Sequence, residues 1–170
     1  MMSEENFIRL DRLRYTKNTV SSRLALLAIL FDVLFFVSIY KSDVGTWYYN
    51  ILVGASILYN LVFMLVAFLS SEGVKNYQPV YSGVLFVLGV IQIIRIFIYP
   101  MRAHGASITI KRVTYAVMED PQFIRTVIYL TLSAICCFAA AAVNLIKSRA
   151  LGAHLKALAE GDKEGKQWQA

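Results

Sequence analysis

Four long apolar runs dominate this chain, at about residues 21–40, 46–69, 80–99 and 126–146. Each is close to the ~20 residues that an α-helix needs to cross the ~30 Å hydrocarbon core of a bilayer. Core helices of soluble domains carry a polar stripe at helical spacing, and these runs lack one. The pattern predicts an all-α membrane protein with four transmembrane helices in an up-down bundle.

The composition favours the same fold class. Hydrophobic residues make up 58% of the 170 residues and charged residues only 16%, whereas a soluble domain carries about 25% charged residues. We therefore divide the chain into a cytoplasmic or interfacial amphipathic segment (1–20), a four-helix transmembrane domain (21–146) and a cytoplasmic tail (147–170).

Lysine and arginine residues flank the apolar runs and indicate how the chain is oriented. With four spans, both termini lie on one side, and that side carries the majority of the 17 Lys and Arg residues. Both termini are therefore predicted to be cytoplasmic, in a multi-pass protein of the plasma membrane. The predicted outer loop, residues 100–120, is also basic and counts against this orientation.

The net charge of +6 predicts contact with lipid and not with nucleic acid. Nucleic-acid binding would require a basic patch interleaved with aromatic residues, and here the basic residues flank apolar runs. The stretch "NFIRLDRLRY" has apolar residues at helical spacing with basic residues between them, which suits a helix on anionic lipid at the inner interface. The predicted basic anchors there are Arg9, Arg12, Arg14, Lys17 and Arg23.

Two segments outside the spans leave structural alternatives open. The outer loop 100–120 contains "SITIKRVTYAV", whose weak alternation fits an irregular surface loop, a short strand pair or an interfacial helix. It is also a potential docking surface for a partner. After the fourth run, Leu151, Leu155 and Leu158 form one stripe, which predicts that the last helix extends into the cytoplasm with an interruption at Gly152.

Four polar residues within the spans are the candidate site: Asp32, Asn60, Gln92 and Arg95. Charged groups inside a membrane usually face the protein interior and pair with one another. At about 1.5 Å per residue, Asp32 lies ~16 Å and Arg95 ~22 Å above the inner ends of their helices. This ~6 Å difference is within the reach of an arginine side chain, so we predict an Asp32–Arg95 ion pair with Gln92 beside it.

Three roles are open for this polar cluster. The ion pair can fix the register of the first and third helices, since removing one partner strands the other charge. It can belong to an ion or proton relay, although a neighbouring arginine opposes protonation of the carboxylate. Alternatively, Arg95 extends to the outer interface and Asp32 faces the helix of another subunit.

Small residues in the fourth run predict a close helix contact. They recur four residues apart, a spacing at which helix backbones approach closely, either within the chain or between membrane subunits. Gly54, Gly83 and Gly89 are candidates for the same use. The adjacent cysteines are expected to pack as small apolar residues, not to bind metal or form a disulfide. The two rows of this face are Ser133, Cys137 and Ala141, and Cys136, Ala140 and Asn144.

The sequence carries no motif that names a reaction: it lacks a P-loop, a nucleophile elbow and a zinc-protease signature. We expect no enzymatic activity, no cofactor and no metal. The expected function is that of a small accessory or scaffold subunit, which assembles with itself or with a larger membrane complex such as a transporter. The alternative is a homo-oligomeric channel or small transporter with Asp32, Gln92, Arg95 and Asn60 near the pathway.

Overall fold

A computed structural model describes residues 17–39, 47–110 and 112–167. The described part of the chain contains four helices long and apolar enough to cross a membrane, as predicted. The long helices are α1 (Thr19–Ile39), α2 (Trp47–Lys75), α3 (Val80–Ile98) and α5 (Asp120–Gln167). Of the predicted basic anchors, Lys17 and Arg23 are exposed, and Arg9, Arg12 and Arg14 lie outside the described residues.

The loop between α3 and α5 contains a short helix and a β-hairpin. The helix is α4 (Pro100–His104), and the strands are β1 (Ser107–Ile110) and β2 (Val113–Ala116), paired antiparallel. Arg112 adopts a left-handed conformation, with φ of 69°, in the turn between the strands. Of the alternatives that the sequence left open, the strand pair is therefore the one present, and an irregular loop is wrong. The β-branched residues of both strands favour this conformation.

Helix α5 is continuous over 48 residues, so the predicted interruption at Gly152 is wrong. One glycine inside a helix costs only about 1 kcal/mol relative to alanine, and its neighbours Ala150, Leu151 and Ala153 are strong helix formers. At 1.5 Å per residue the helix is ~72 Å long, which exceeds the ~30 Å hydrocarbon core of a bilayer. It therefore extends well beyond the length needed for one span.

Helix α5 packs against both α1 and α3, and α1 also packs against α2. The predicted small-residue face of α5 is buried in these contacts. Ser133 Oγ donates a hydrogen bond of 2.9 Å to the carbonyl oxygen of Ala28, and Ser21 Oγ donates one of 2.5 Å to that of Ala140. Hydroxyl-to-backbone bonds of this kind require the closely spaced backbones that small residues permit. The small face thus serves packing within the chain.

Only one of the three candidate glycines makes a close contact. A Cβ atom added at Gly89 would lie 2.9 Å from the ring of Phe138 on α5, so this glycine lets α3 and α5 approach. Gly54 and Gly83 have open space where a Cβ would stand, so neither makes a close helix contact within the described part of the chain. Gly73 was not among these candidates, but its absent Cβ makes room for the ring of Tyr81 at the start of α3.

A separate apolar cluster fixes α4 and the base of the hairpin to the ends of the long helices. Ala103, Val117 and Met118 are buried there together with side chains of α1 and α5. The backbone amide of Val117 also donates to the carbonyl oxygen of Ala106 across 3.0 Å. The remaining buried members of this cluster are Phe35, Ile39, Tyr99 and Leu130.

Candidate functional site

The predicted polar residues meet in the protein interior, and all four long helices contribute. Asp32 comes from α1, Asn60 from α2, and Gln92 and Arg95 from α3, and each of these residues is buried. Helical spacing places the last two on one face, three residues apart. Two residues that the sequence analysis did not assign to this cluster complete it: Ser56 of α2 and Ser133 of α5.

Arg95 is held from every side by groups of its own chain. Its Nη1 donates to Asp32 Oδ1 and to Gln92 Oε1, both across 2.8 Å. Its Nη2 donates to Ser56 Oγ across 3.1 Å and to Asn60 Oδ1 across 2.5 Å. Because all four Nη hydrogens are engaged and the residue is 8% exposed, Arg95 does not extend to the interface as the third alternative required.

Two aromatic rings enclose the guanidinium group. Its central carbon lies 4.6 Å from the ring centre of Phe35 and 4.2 Å from that of Tyr59. A cation over the face of an aromatic ring gains roughly 2 kcal/mol when both are removed from water. The rings belong to α1 and α2, so the arginine of α3 is bound by charge, hydrogen bonds and ring faces on two neighbouring helices.

Gln92 connects the ion pair to α5. Its Nε2 donates to Asp32 Oδ1 across 2.9 Å and to Ser133 Oγ across 3.2 Å. Ser133 Oγ in turn donates a hydrogen bond to the backbone carbonyl oxygen of Ala28 on α1. Sequence reasoning placed Ser133 on the small face, and its position on that face is what brings its hydroxyl to the glutamine.

Three buried polar atoms of this region have no hydrogen-bond partner within the described part of the chain: Asp32 Oδ2, Asn60 Nδ2 and the Tyr59 hydroxyl. A pocket of about 40 Å³ lies between α1 and α2, with Asp32 and Asn60 among the residues that line it. Ligand pockets in proteins are about 300–1,000 Å³, so this space is too small for an organic substrate. Its other lining residues are apolar: Val33, Phe36, Ile57, Leu61 and Met64.

A second polar cluster lies at the opposite end of the same helices, around Asn144 of α5. Asn144 accepts from Asn18 Nδ2 across 3.1 Å and donates to the Gln78 carbonyl and to Ser82 Oγ across 2.9 and 2.7 Å. Lys147 Nζ donates to Asn18 Oδ1 across 3.3 Å. Asn144 belongs to the predicted small face and is also a polar residue within the fourth apolar run, which is the signal that it needs a hydrogen-bond partner.

Asn18 serves two elements at this end. Its Oδ1 accepts from the backbone amide of Ser21 across 3.4 Å, which caps the first turn of α1. Its own backbone amide donates to the carbonyl of Lys75 across 3.0 Å, where α2 ends. Nearby, the hydroxyls of Ser22 and Ser71 share a hydrogen bond of 2.8 Å between α1 and α2.

Apolar side chains fill the space between the two polar clusters. On each long helix the buried residues that lie between the clusters are small or aliphatic, with one phenylalanine on α2. The described residues therefore form two polar layers with an apolar layer between them. The apolar layer includes Ala25, Ala28, Phe63, Ala67, Leu85, Leu88, Cys137, Ala140 and Ala141.

Groups that could bind metal do not cluster in the described residues, where no set of three or more His, Cys, Asp or Glu side chains is close enough. Cys136 and Cys137 are free thiols and are buried. His104 Nε2 lies 2.8 Å from Asp120 Oδ1 in an exposed pair at the start of α5. Comparisons with protein-family models, curated proteins and solved structures found no match for this chain.

Proposed function

We propose that this protein is a non-catalytic multi-pass membrane subunit, which assembles with itself or with a larger complex such as a transporter. One observation carries the proposal: the two charged residues of the candidate site, Asp32 and Arg95, pair with each other inside the chain. Arg95 makes hydrogen bonds through all four Nη hydrogens to Asp32, Gln92, Ser56 and Asn60. Charges paired in this way join helices.

The energetics support a structural role for the ion pair. Removing one partner of a buried pair costs about 3–5 kcal/mol, because the other charge is left without compensation in a low-dielectric environment. A helix arrangement that separated Asp32 from Arg95 would be destabilised for the same reason. The pair therefore discriminates against alternative registers of α1 and α3, which is useful to a protein that presents a defined surface to partners.

The outward face of α2 is the surface that we propose for such partners. Its exposed residues recur at alternating steps of three and four, the spacing of a coiled-coil seam. Gly54 adds a small residue, which permits close backbone approach in membranes. Beside it, the exposed residues of this α2 face are Ile51, Leu58, Leu61, Leu65 and Phe68.

The orientation belongs to the same proposal. We place both termini in the cytoplasm and the hairpin outside, with the four spans alternating in direction across the plasma membrane. The distribution of Lys and Arg over the two sides supports this orientation. Anionic lipid at the inner interface is the proposed contact of Arg9, Arg12, Arg14, Lys17 and Arg23.

A channel or small transporter is the second candidate. The unpartnered Asp32 Oδ2 and Asn60 Nδ2 favour it, since polar groups of this kind occur along transport pathways. The apolar layer between the polar clusters counts against it, because a pathway needs polar or hydrated positions from one face to the other.

Purification in mild detergent tests the proposal. We expect either stable oligomers or a larger membrane protein at fixed stoichiometry, measured by native mass spectrometry. Leu58→Ala with Leu65→Ala on α2 should lower the recovered partner several-fold. The matched control, Val87→Ala with Ile94→Ala on the exposed face of α3, should leave it unchanged. A monomer that mediates ion flux in liposomes, lost in Asp32→Asn, would instead support the transporter.

A further inference from the structure

The β-hairpin between α4 and α5 has two chemically different faces. Its register pairs Ile108 with Tyr115 and Ile110 with Val113, and directly opposed positions belong to the same face of the ladder. The alternate pairs are Ser107 with Ala116 and Thr109 with Thr114. One face of this short ribbon is therefore built from large apolar and aromatic residue types, and the other from small and hydroxyl-bearing ones.

The two faces differ in the contacts that the protein provides for them. On the polar face the hydroxyls of Thr109 and Thr114 share a hydrogen bond of 3.1 Å. On the apolar face Val113 is 50% and Tyr115 57% exposed. An isolated two-stranded hairpin is at best marginally stable in water, and exposing its apolar face to water lowers its stability further.

The position of the hairpin places it close to the ends of the membrane-spanning helices. Strand β1 begins shortly after α3 and α4, and the base of the hairpin is packed by Val117 and Met118 onto the ends of the spanning helices. Exposed apolar side chains continue along this end of the protein at Phe97, Ile98 and Met101. The ribbon thus stands where apolar spans end, which is the level of the membrane–water interface.

The turn of the hairpin carries positive charge. Arg112 is exposed there, and Lys111 precedes it in the sequence. Arg102 on α4 is also exposed. Basic residues near a membrane surface that carries anionic lipids are attracted to it by about 1 kcal/mol each. Tyrosine is enriched at the same level, because its ring is apolar and its hydroxyl reaches water.

We infer that the hairpin is a membrane-interface anchor: the Val113 and Tyr115 face enters the acyl–headgroup boundary, and the Arg112 turn contacts lipid phosphates. The inference goes beyond the proposed subunit function, and its apolar part does not depend on which side of the membrane the hairpin lies. An apolar face beside a basic turn is the pattern by which amphipathic segments bind bilayers. A protein partner would have to match that face as well as compete with lipid already in contact with the spans.

Spin labels on the two faces test this inference. Single cysteines replace Val113, Tyr115, Thr109 and Thr114 in the full chain reconstituted in phosphatidylglycerol-containing nanodiscs. Cys136 and Cys137 are 8% and 0% exposed, so unsubstituted protein labelled in parallel gives the background. We expect labels at 113 and 115 to collide more with oxygen than with a water-soluble nickel chelate. Labels at 109 and 114, which are the matched controls, should show the reverse.

The charge of the turn is tested in the same samples. Arg112→Ala should raise the nickel accessibility of the label at 115 towards the value measured at 114. Nanodiscs of pure phosphatidylcholine should raise it as well. As a label-free check, Tyr115→Trp should be quenched by brominated lipid more strongly than Thr114→Trp, after subtraction of the unsubstituted protein. Equal nickel accessibility on both faces would overturn the inference. Protection of 113 and 115 from both reagents would also overturn it, since it indicates a protein interface.

Discussion

Arg95 Nη1 lies 2.8 Å from Asp32 Oδ1, so an ion pair joins α1 to α3 in the interior of the protein. The pair is reinforced by α2, which supplies Asn60 and Ser56 to the arginine, and by α5, whose Ser133 is reached through Gln92. Every long helix is thus bonded to one connected set of side chains. This connectivity makes the stability of the fold depend on the pair as a unit.

Replacing one partner of this pair should cost more than replacing both. Asp32→Ala and Arg95→Ala each leave a buried charge uncompensated and should lower the free energy of unfolding by about 3–5 kcal/mol. Asp32→Leu combined with Arg95→Met removes both charges and should cost less than either single change. Reversible unfolding in mixed micelles measures these differences.

Ile94→Ala is the control for these variants, because Ile94 neighbours the arginine on α3 but is exposed. This substitution should change the free energy of unfolding by no more than about 0.5 kcal/mol, as is usual for surface positions. A double variant as unstable as the sum of the two single variants would show that the charges act independently, which contradicts the proposed role.

The hydrogen bonds around Asn144 should stabilise the contact between the ends of the long helices. Asn144→Leu removes hydrogen bonds to Asn18, Gln78 and Ser82. Hydrogen bonds between membrane helices average about 0.6 kcal/mol and reach about 1.7, so the loss should total about 2 kcal/mol. Hydrogen exchange at the first turn of α1 should accelerate, since Asn18 would lose a partner that positions its cap.

Ala142→Leu provides the comparison for Asn144→Leu, because it adds the same side chain to an exposed position of the same helix. It should change neither the free energy of unfolding nor the exchange rate appreciably. Similar losses in the two variants would mean that added volume, and not the lost hydrogen bonds, is responsible.

Gly73 and Gly83 should respond oppositely to alanine. A Cβ at position 73 would overlap the ring of Tyr81, whereas position 83 offers open space. Gly73→Ala should therefore cost about 1–3 kcal/mol through overpacking. Gly83→Ala should stabilise α3 by about 0.5–1 kcal/mol, since alanine loses less backbone entropy in a helix. Thermal unfolding in detergent distinguishes them, and a gain in stability at both positions would contradict the tight contact.

Run length and apolar composition were enough to predict the four long helices, because a bilayer span imposes both. The Asp32–Arg95 contact also followed from the sequence, since a charge inside a span must find a partner and helical rise gives its depth. Ser56 gave no comparable signal. A serine hydroxyl can bond the carbonyl of its own helix, as Ser70 does to Val66, so its presence does not require a distant partner.

Local sequence could not decide the hairpin or the length of α5. Both β-strands have only four residues, too few for alternation to exclude a helix or an irregular loop. Gly152 was overvalued as a helix breaker, because its cost of about 1 kcal/mol is spread over a long run of good helix formers. These features depend on sums of small terms and on tertiary packing, which a single position does not reveal.

The proposed orientation predicts opposite labelling at two exposed connections. Gly105 follows α4 and Asn76 follows α2, and both residues are exposed. If both termini are cytoplasmic, Gly105→Cys should react with a membrane-impermeant maleimide in intact cells, and Asn76→Cys should react only after permeabilisation. The unsubstituted protein is the control, because Cys136 and Cys137 are buried. The reversed pattern would place both termini outside, with the basic residues of 100–120 determining the orientation.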